Sequence, residues 1–224
     1  MGEMDDDHRS GSKWVLCMST RLTFINDAFD LGEAAIVLFQ CNALDRSPDT
    51  QVVWRSIRYC GLGWNHPFEF SDTVSVSISD AFGNFSERTQ ASKGDCFEVV
   101  AHPVGRGISR KRKDSNNETI SVANSLPKGA VDVNLSRGER VVAQQRSIAP
   151  GQSGDFDMEP ELWIGLSTEK LRDGFVPRLT KISFATKLSL HNIASADIVM
   201  RGAANSNEPV SFQLTNIHSG GSHA

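Results

Sequence analysis

The chain has no apolar run longer than "AAIVLF", residues 34–39, far short of the roughly 20 residues that cross a bilayer as a helix. This predicts a soluble protein. Charge of one sign is also lacking: a formal net charge of −4 over 224 residues creates no overall field toward nucleic acid or an anionic membrane, and nucleic acid is not an expected partner. Cysteine is sparse. Cys17, Cys41, Cys60 and Cys96 lie far apart with no C-x-x-C pair, and the acidic opening "MGEMDDDHRSGSKWVL" has no apolar leader. Thiols are therefore expected rather than disulfides, in a protein that is cytoplasmic or exported without a classical signal. Asp6 stands where a myristoylation signal wants Ser or Thr. The sequons at Asn84, Asn117 and Asn134 matter only in a secretory compartment.

Catalytic signatures are missing as well. "GQSGD" at 151–155 lacks the last glycine of G-x-S-x-G, and neither H-E-x-x-H nor a glycine-rich phosphate loop occurs. His66, His102 and His191 are isolated. No catalytic residue, metal or cofactor is predicted, although a hydrolase or isomerase with an atypical site stays open.

What the chain does have is alternation of period two. "TVSVSIS" (73–79) puts Val74, Val76 and Ile78 on one face and Ser75, Ser77 and Ser79 on a wet one; "AVDVNLS" repeats the device, and "KISFATKLSL" aligns Ile182, Phe184, Leu188 and Leu190. Turn signals such as "DAFGN", "LPKG", "SRGE" and "APGQ" punctuate these runs. Residues 129–148 read as a hairpin turning at Ser136, Arg137 and Gly138. "TQVVWRSIRYC" (50–60) is ambiguous between helix and strand. The predicted fold is all-β, an antiparallel two-sheet sandwich over residues 20–217, with a flexible extension at 1–19, a flexible tail at 218–224 and a basic polar loop at 105–119.

Four phrases, "LTFIN", "IVLFQ", "VVWRSI" and "PELWIG", spread over residues 20–200, resemble the rhizosphere-induced proteins of rhizobia and other bacteria. That resemblance implies no set of catalytic residues. The "CGLGWNHPFEF" segment and the basic run depart from the family pattern.

Three stretches are candidate sites. In "GDFDMEPE" Phe156 and Met158 alternate with Asp155, Asp157 and Glu159, the pattern of a strand with an acidic face, a cation site being the alternative. Arg110, Lys111, Arg112 and Lys113 have no interleaved aromatic and read as a solvated loop rather than a nucleic-acid platform. "RYCGLGWNHPFEF" (58–70) gathers Tyr59, Trp64, Phe68 and Phe70 with Asn65 and His66 around Gly61 and Gly63. Flat apolar rings beside hydrogen-bonding tips suit a sugar or lipid headgroup, and Tyr59, Trp64, Asn65 and His66 are the candidate ligand contacts. The alternative is that these aromatics fill one end of the core. The functional expectation is a non-catalytic binding or self-associating protein, a homo-oligomer through its sheet edges. The other classes are an enzyme and a membrane-lytic β protein; short strands and a polar basic loop weigh against the last.

Overall fold

A computed structural model describes residues 19–29, 32–44, 51–80, 82–103, 105–169, 178–179, 181–203 and 208–220. The N-terminal extension before Ser19, with Cys17, lies outside the described residues. Every regular element among those described is a strand: β1 Ser19–Phe29, β2 Ala35–Phe39, β3 Gln51–Ile57, β4 Asn65–Ser71, β5 Val74–Ser79, β6 Thr89–Ala91, β7 Asp95–His102, β8 Gly105–Lys113 and β9 Ile120–Asn124. The chain continues through β10 Val131–Arg137, β11 Arg140–Ile148, β12 Ser153–Phe156, β13 Glu161–Ser167, β14 Arg178–Leu179, β15 Ser183–Ser189, β16 Ile193–Ala203 and β17 Ser211–Ser219. No helix is long and apolar enough to cross a membrane among the described residues.

The protein is all-β. Its strands form four hydrogen-bonded sheets, ordered β17-β16-β1-β4, β14-β3-β2-β13-β15, β11-β10-β5-β6 and β12-β9-β7-β8. Two pairings are parallel, β1 with β16 and β7 with β9, where alternation alone suggested antiparallel neighbours throughout. Period-two alternation records which face is buried and is blind to the direction of the neighbouring strand.

Residue pattern explains burial strand by strand. In β1, Leu22, Phe24, Asn26 and Ala28 point inward while Arg21, Asp27 and Phe29 point out. β2 is buried at every position and β13 nearly so, because both lie inside the five-stranded sheet; their unbroken apolar runs are what doubly covered strands require. A single apolar cluster draws on all four sheets, with Phe24, Leu38, Trp54, Leu135, Phe97 and Phe156 among its members. Each such side chain contributes about 1.5–3 kcal/mol on burial. The four phrases that carry the family likeness fall on β1, β2, β3 and β13. In β3 a register shift opposes Arg55 to Leu38 and Val53 to Phe39. Trp54 is the extra residue of a bulge, and it joins the inward face beside Arg55. The ambiguous segment 50–60 is thus a strand.

One guanidinium staples the inner faces together. Arg137, buried at the end of β10, stacks 4.5 Å over the Phe70 ring, donates from Nε to Gln40 Oε1 at 2.9 Å and from Nη1 to the Ser71 carbonyl at 2.9 Å. Asp72 lies 4.0 Å away. Burial pushes its pKa down to about 10 against the opposing pull of Asp72.

Several expectations are corrected. Residues 105–113 are not a loop: they form β8, an edge strand paired with β7, and only 114–119 turn. A run of exposed Arg and Lys is what protects a sheet edge from further pairing, so its polarity mimicked that of a loop. The serine face of β5 is not wet. Ser77 and Ser79 are buried with Asn134 and Ser136 of β10, in a polar ladder where Gln144 donates to Asn134 at 2.8 Å and Asn134 to Ser79 at 2.9 Å. The Asn134 sequon is accordingly inaccessible. Ile182 and Phe184 do not join Leu188 and Leu190 in the main core: Ile182 packs, half-buried, on Val37 and Val53, and Phe184 is exposed. A register shift between Ile164 and Leu166, with Phe184 at φ +55°, turns that end of β15 outward. The hairpin turn is Gly138-Glu139, with Arg137 opposite Arg140 and Gly138 at φ +56°, a conformation glycine adopts without strain. β17 pairs with β16 as far as Ser219, two residues beyond the expected boundary.

Candidate functional site

The segment 58–64 is built onto the C-terminal half of β1 by one buried side chain. Asn26 accepts at its carbonyl from Gly63 N (2.7 Å), donates its backbone N–H to the Trp64 carbonyl (3.0 Å) and donates Nδ2 to the Cys60 carbonyl (2.7 Å), while its Oδ1 accepts from Ala28 N (2.9 Å). Trp64 N bonds to the Gly61 carbonyl at 3.0 Å, closing a turn whose third residue, Gly63, has φ +76°, the sign a type II turn demands there. A buried amide with both ends satisfied is worth about 1–3 kcal/mol against its loss, so the loop is held rather than loose.

The same device recurs twice. Asn42 donates to the Asp155 carbonyl and accepts from Asp157 N and Leu44 N. Asn124 donates to the Gly129 and Ile148 carbonyls and accepts from Leu126 N. Each asparagine accepts from the backbone two residues on and ties down a distant loop.

Side-chain placement divides the aromatic segment in two. Phe68 and Phe70 are 7% and 1% exposed and meet Trp54 edge-on at 5.9 and 5.5 Å; they fill the core. Tyr59 and Trp64 are 94% and 66% exposed, joined outside by Phe29 at 62% and Leu62 at 53%. A methyl group built on Gly61 would sit 3.8 Å from Cδ1, Cδ2 and Cε2 of Trp64 alike. The indole therefore lies face-on to Gly61, and its opposite side is open. Beside it an open cleft of about 340 Å³ is lined by Asn26, Ala28, Phe29, Tyr59, Gly61 and Leu62. Phe29 also borders a second cleft, of about 410 Å³, with Asp27, Arg201 and Glu208.

Of the four expected contacts only Tyr59 lines a cleft; Trp64 lines neither, and nor do Asn65 and His66. They alternate on β4: Asn65, opposite Ile25, is exposed, whereas His66, opposite Phe24, shares the inward parity of Phe68. His66 instead meets Arg55, with Nε2 3.4 Å from Arg55 Nη1. The Arg55 guanidinium lies 5.5 Å from the Trp54 ring and 5.3 Å from that of Phe68. Burial, and then the nearby Arg140, lower its pKa. Phe29, Leu62, Asn26 and Arg55 were not singled out in the sequence. An asparagine at an inward position of "LTFINDAF" and a phenylalanine at an outward one were the signals available.

Most of the remaining candidates have local partners, but Asp157 Oδ1 is buried with no hydrogen-bond partner among the described residues. Phe156 and Met158 are buried. Asp155 accepts from the Ser121 and Ser153 hydroxyls, Glu159 pairs with Lys93 at 3.2 Å and Glu161 with Lys187 at 2.9 Å. Among the described residues no three His, Cys, Asp or Glu side chains converge as metal ligands. In β8, Arg110 reaches the buried Asp95 at 3.4 Å and Lys111 reaches Glu98 at 3.1 Å. Cys60 and Cys96 carry thiols, and burial raises the pKa of Cys60.

The chain matches no protein-family model, no curated protein and no solved structure.

Proposed function

We propose that this protein is a non-catalytic glycan-binding β-sandwich, its four sheets stacked as two layers, with Trp64 and Tyr59 as the sugar platform at the end of β1. The observation that carries this reading is the division of one aromatic segment: Phe68 and Phe70 are spent on the core while Trp64 lies flat on Gly61 with its other face open. A fixed indole face receives the C–H face of a pyranose without first losing rotamer freedom, which is where much of the cost of binding otherwise falls. The cleft at its side, bordered by the same Gly61, offers Tyr59 and the backbone of Cys60, Gly61 and Leu62 to hydroxyls of the same sugar. Membership of the rhizosphere-induced family and self-association through sheet edges belong to the same proposal.

A lipid headgroup is the second reading, favoured by the exposed apolar side chains of Phe29 and Leu62 beside the two rings. A glycan array and a liposome flotation assay, run with the wild-type chain and Trp64→Ala alongside size-exclusion chromatography, separate the two. Glycan binding that weakens at least tenfold in the variant, about 1.4 kcal/mol, supports the sugar platform. Binding to vesicles alone favours the headgroup. Binding to neither, or binding indifferent to Trp64, overturns both.

A further inference from the structure

Away from that platform, on the inward side of β3 and β4, a guanidinium is held without an acidic partner among the described residues. Arg55 is half-buried, and its Nε is shut off from solvent with no hydrogen-bond partner among the described residues; the indole N–H of the neighbouring Trp54 is in the same state. Among the described residues its hydrogen-bond neighbour is a ring nitrogen of His66, and the charge that bears on it is that of another cation, Arg140. Withdrawing a charge from water costs several kcal/mol unless something of opposite sign meets it. In Arg137 the corresponding donors are taken up by Gln40 and Ser71, with Asp72 at hand. Among the described residues nothing comparable meets Arg55.

We propose that Arg55, Arg140 and His66 form a site for an oxyanion, a phosphate or sulfate group, at the edge of the gap between β3 and β4. Guanidinium N–H donors match the oxygens of such a group; with Nε closed to solvent and Nη1 turned to His66, the anion meets Arg55 from its Nη2 side. The bulge at Trp54 sets the plane by turning Arg55 inward between the Trp54 and Phe68 rings. Arg140 is exposed at the start of β11, so the anion arrives from solvent. Its charge answers that of both arginines at once, whereas a neutral sugar would leave them unpaired. The site is separate from the Trp64 platform and does not depend on it.

The test is thermal unfolding of the full chain with phosphate or sulfate exchanged for chloride at constant ionic strength, in the wild type, Arg55→Gln, Arg140→Gln and Trp64→Ala. The wild-type Tm rises saturably, by about 2–4 °C at a phosphate concentration about five times its Kd. The rise is at least halved in Arg55→Gln and Arg140→Gln and persists in Trp64→Ala, so loss of the glycan reading would leave this one standing. Arg140 is exposed, and its variant decides the matter if Arg55→Gln does not fold. Flotation with phosphatidylcholine vesicles, with and without phosphatidic acid, separates the sources. Capture that needs phosphatidic acid and Arg140 assigns the phosphate to a lipid, and a response to free anion alone assigns it to a soluble one. The absence of any anion-dependent Tm change, or an equal change in wild type and both arginine variants, overturns the proposal.

Discussion

Arg137 and Arg55 each lie across aromatic rings on the inward side of a sheet, Arg137 over Phe70 and Arg55 over Trp54 and Phe68. Stacking of this kind shields the guanidinium faces and leaves the in-plane donors to be satisfied. At Arg137 Nε reaches Gln40, Nη1 reaches a strand-end carbonyl, and Gln40 in turn donates to the Glu159 and Glu161 carbonyls. At Arg55 Nε reaches nothing among the described residues, and a second arginine stands close by. The difference teaches that burial of a charge does not by itself mark a site. A buried cation whose donors are used holds the fold together; a half-buried one whose donors are idle is where we propose that an anion binds.

The largest expected effect breaks the comparison from the structural side. Arg137→Ala strands Gln40 Oε1 and the Ser71 carbonyl at the junction of three sheets and should lower stability by about 3–5 kcal/mol, read as the midpoint of a urea melt. Asn26→Ala comes next. It frees the Cys60 carbonyl and Ala28 N together and should cost about 2 kcal/mol, with faster amide exchange at Gly63 than in the wild type; a loop that stays protected would mean that the β1–β4 ladder alone holds it. Arg55→Met then sharpens the contrast. Removing a half-buried charge that lacks an acidic partner should leave stability within about 1 kcal/mol of wild type, or raise it, and a loss as large as that of Arg137→Ala would erase the distinction between the two arginines. The smallest effect on stability belongs to Trp64→Ala, within about 0.5 kcal/mol, as for other exposed positions, while Phe70→Ala in the same segment should cost about 3–5 kcal/mol.

How much of this was legible depended on the range over which each feature is set. The inward placement of Val76, Ile78, Val133, Leu135, Phe156 and Met158 followed from alternation, and so did the strand character of most of the chain. The split of residues 58–70 did not. Phe68 and Phe70 share a parity on β4 that the sequence displays, but whether Trp64 and Tyr59 lie inside or outside depends on Asn26, more than thirty residues earlier in the chain, closing the loop onto β1. β8 was misread because basic polarity serves an edge strand and a loop equally well. The serines of β5 were misread because a short side chain between Asn134 and Ser136 is covered by its neighbours whatever its polarity.

By itself the sequence determined the class of the fold, the rows of side chains that make its core and the lack of an apolar run long enough to cross a membrane as a helix, since each of these is a local property of composition or of a two-residue repeat. Tertiary structure alone decided the directions of the strand pairs, the open indole face and the contact of Arg55 with His66. The physical reason is that exposure and hydrogen-bond satisfaction belong to atoms in their surroundings, and in a β-protein those surroundings come from ladders that join segments far apart in the chain.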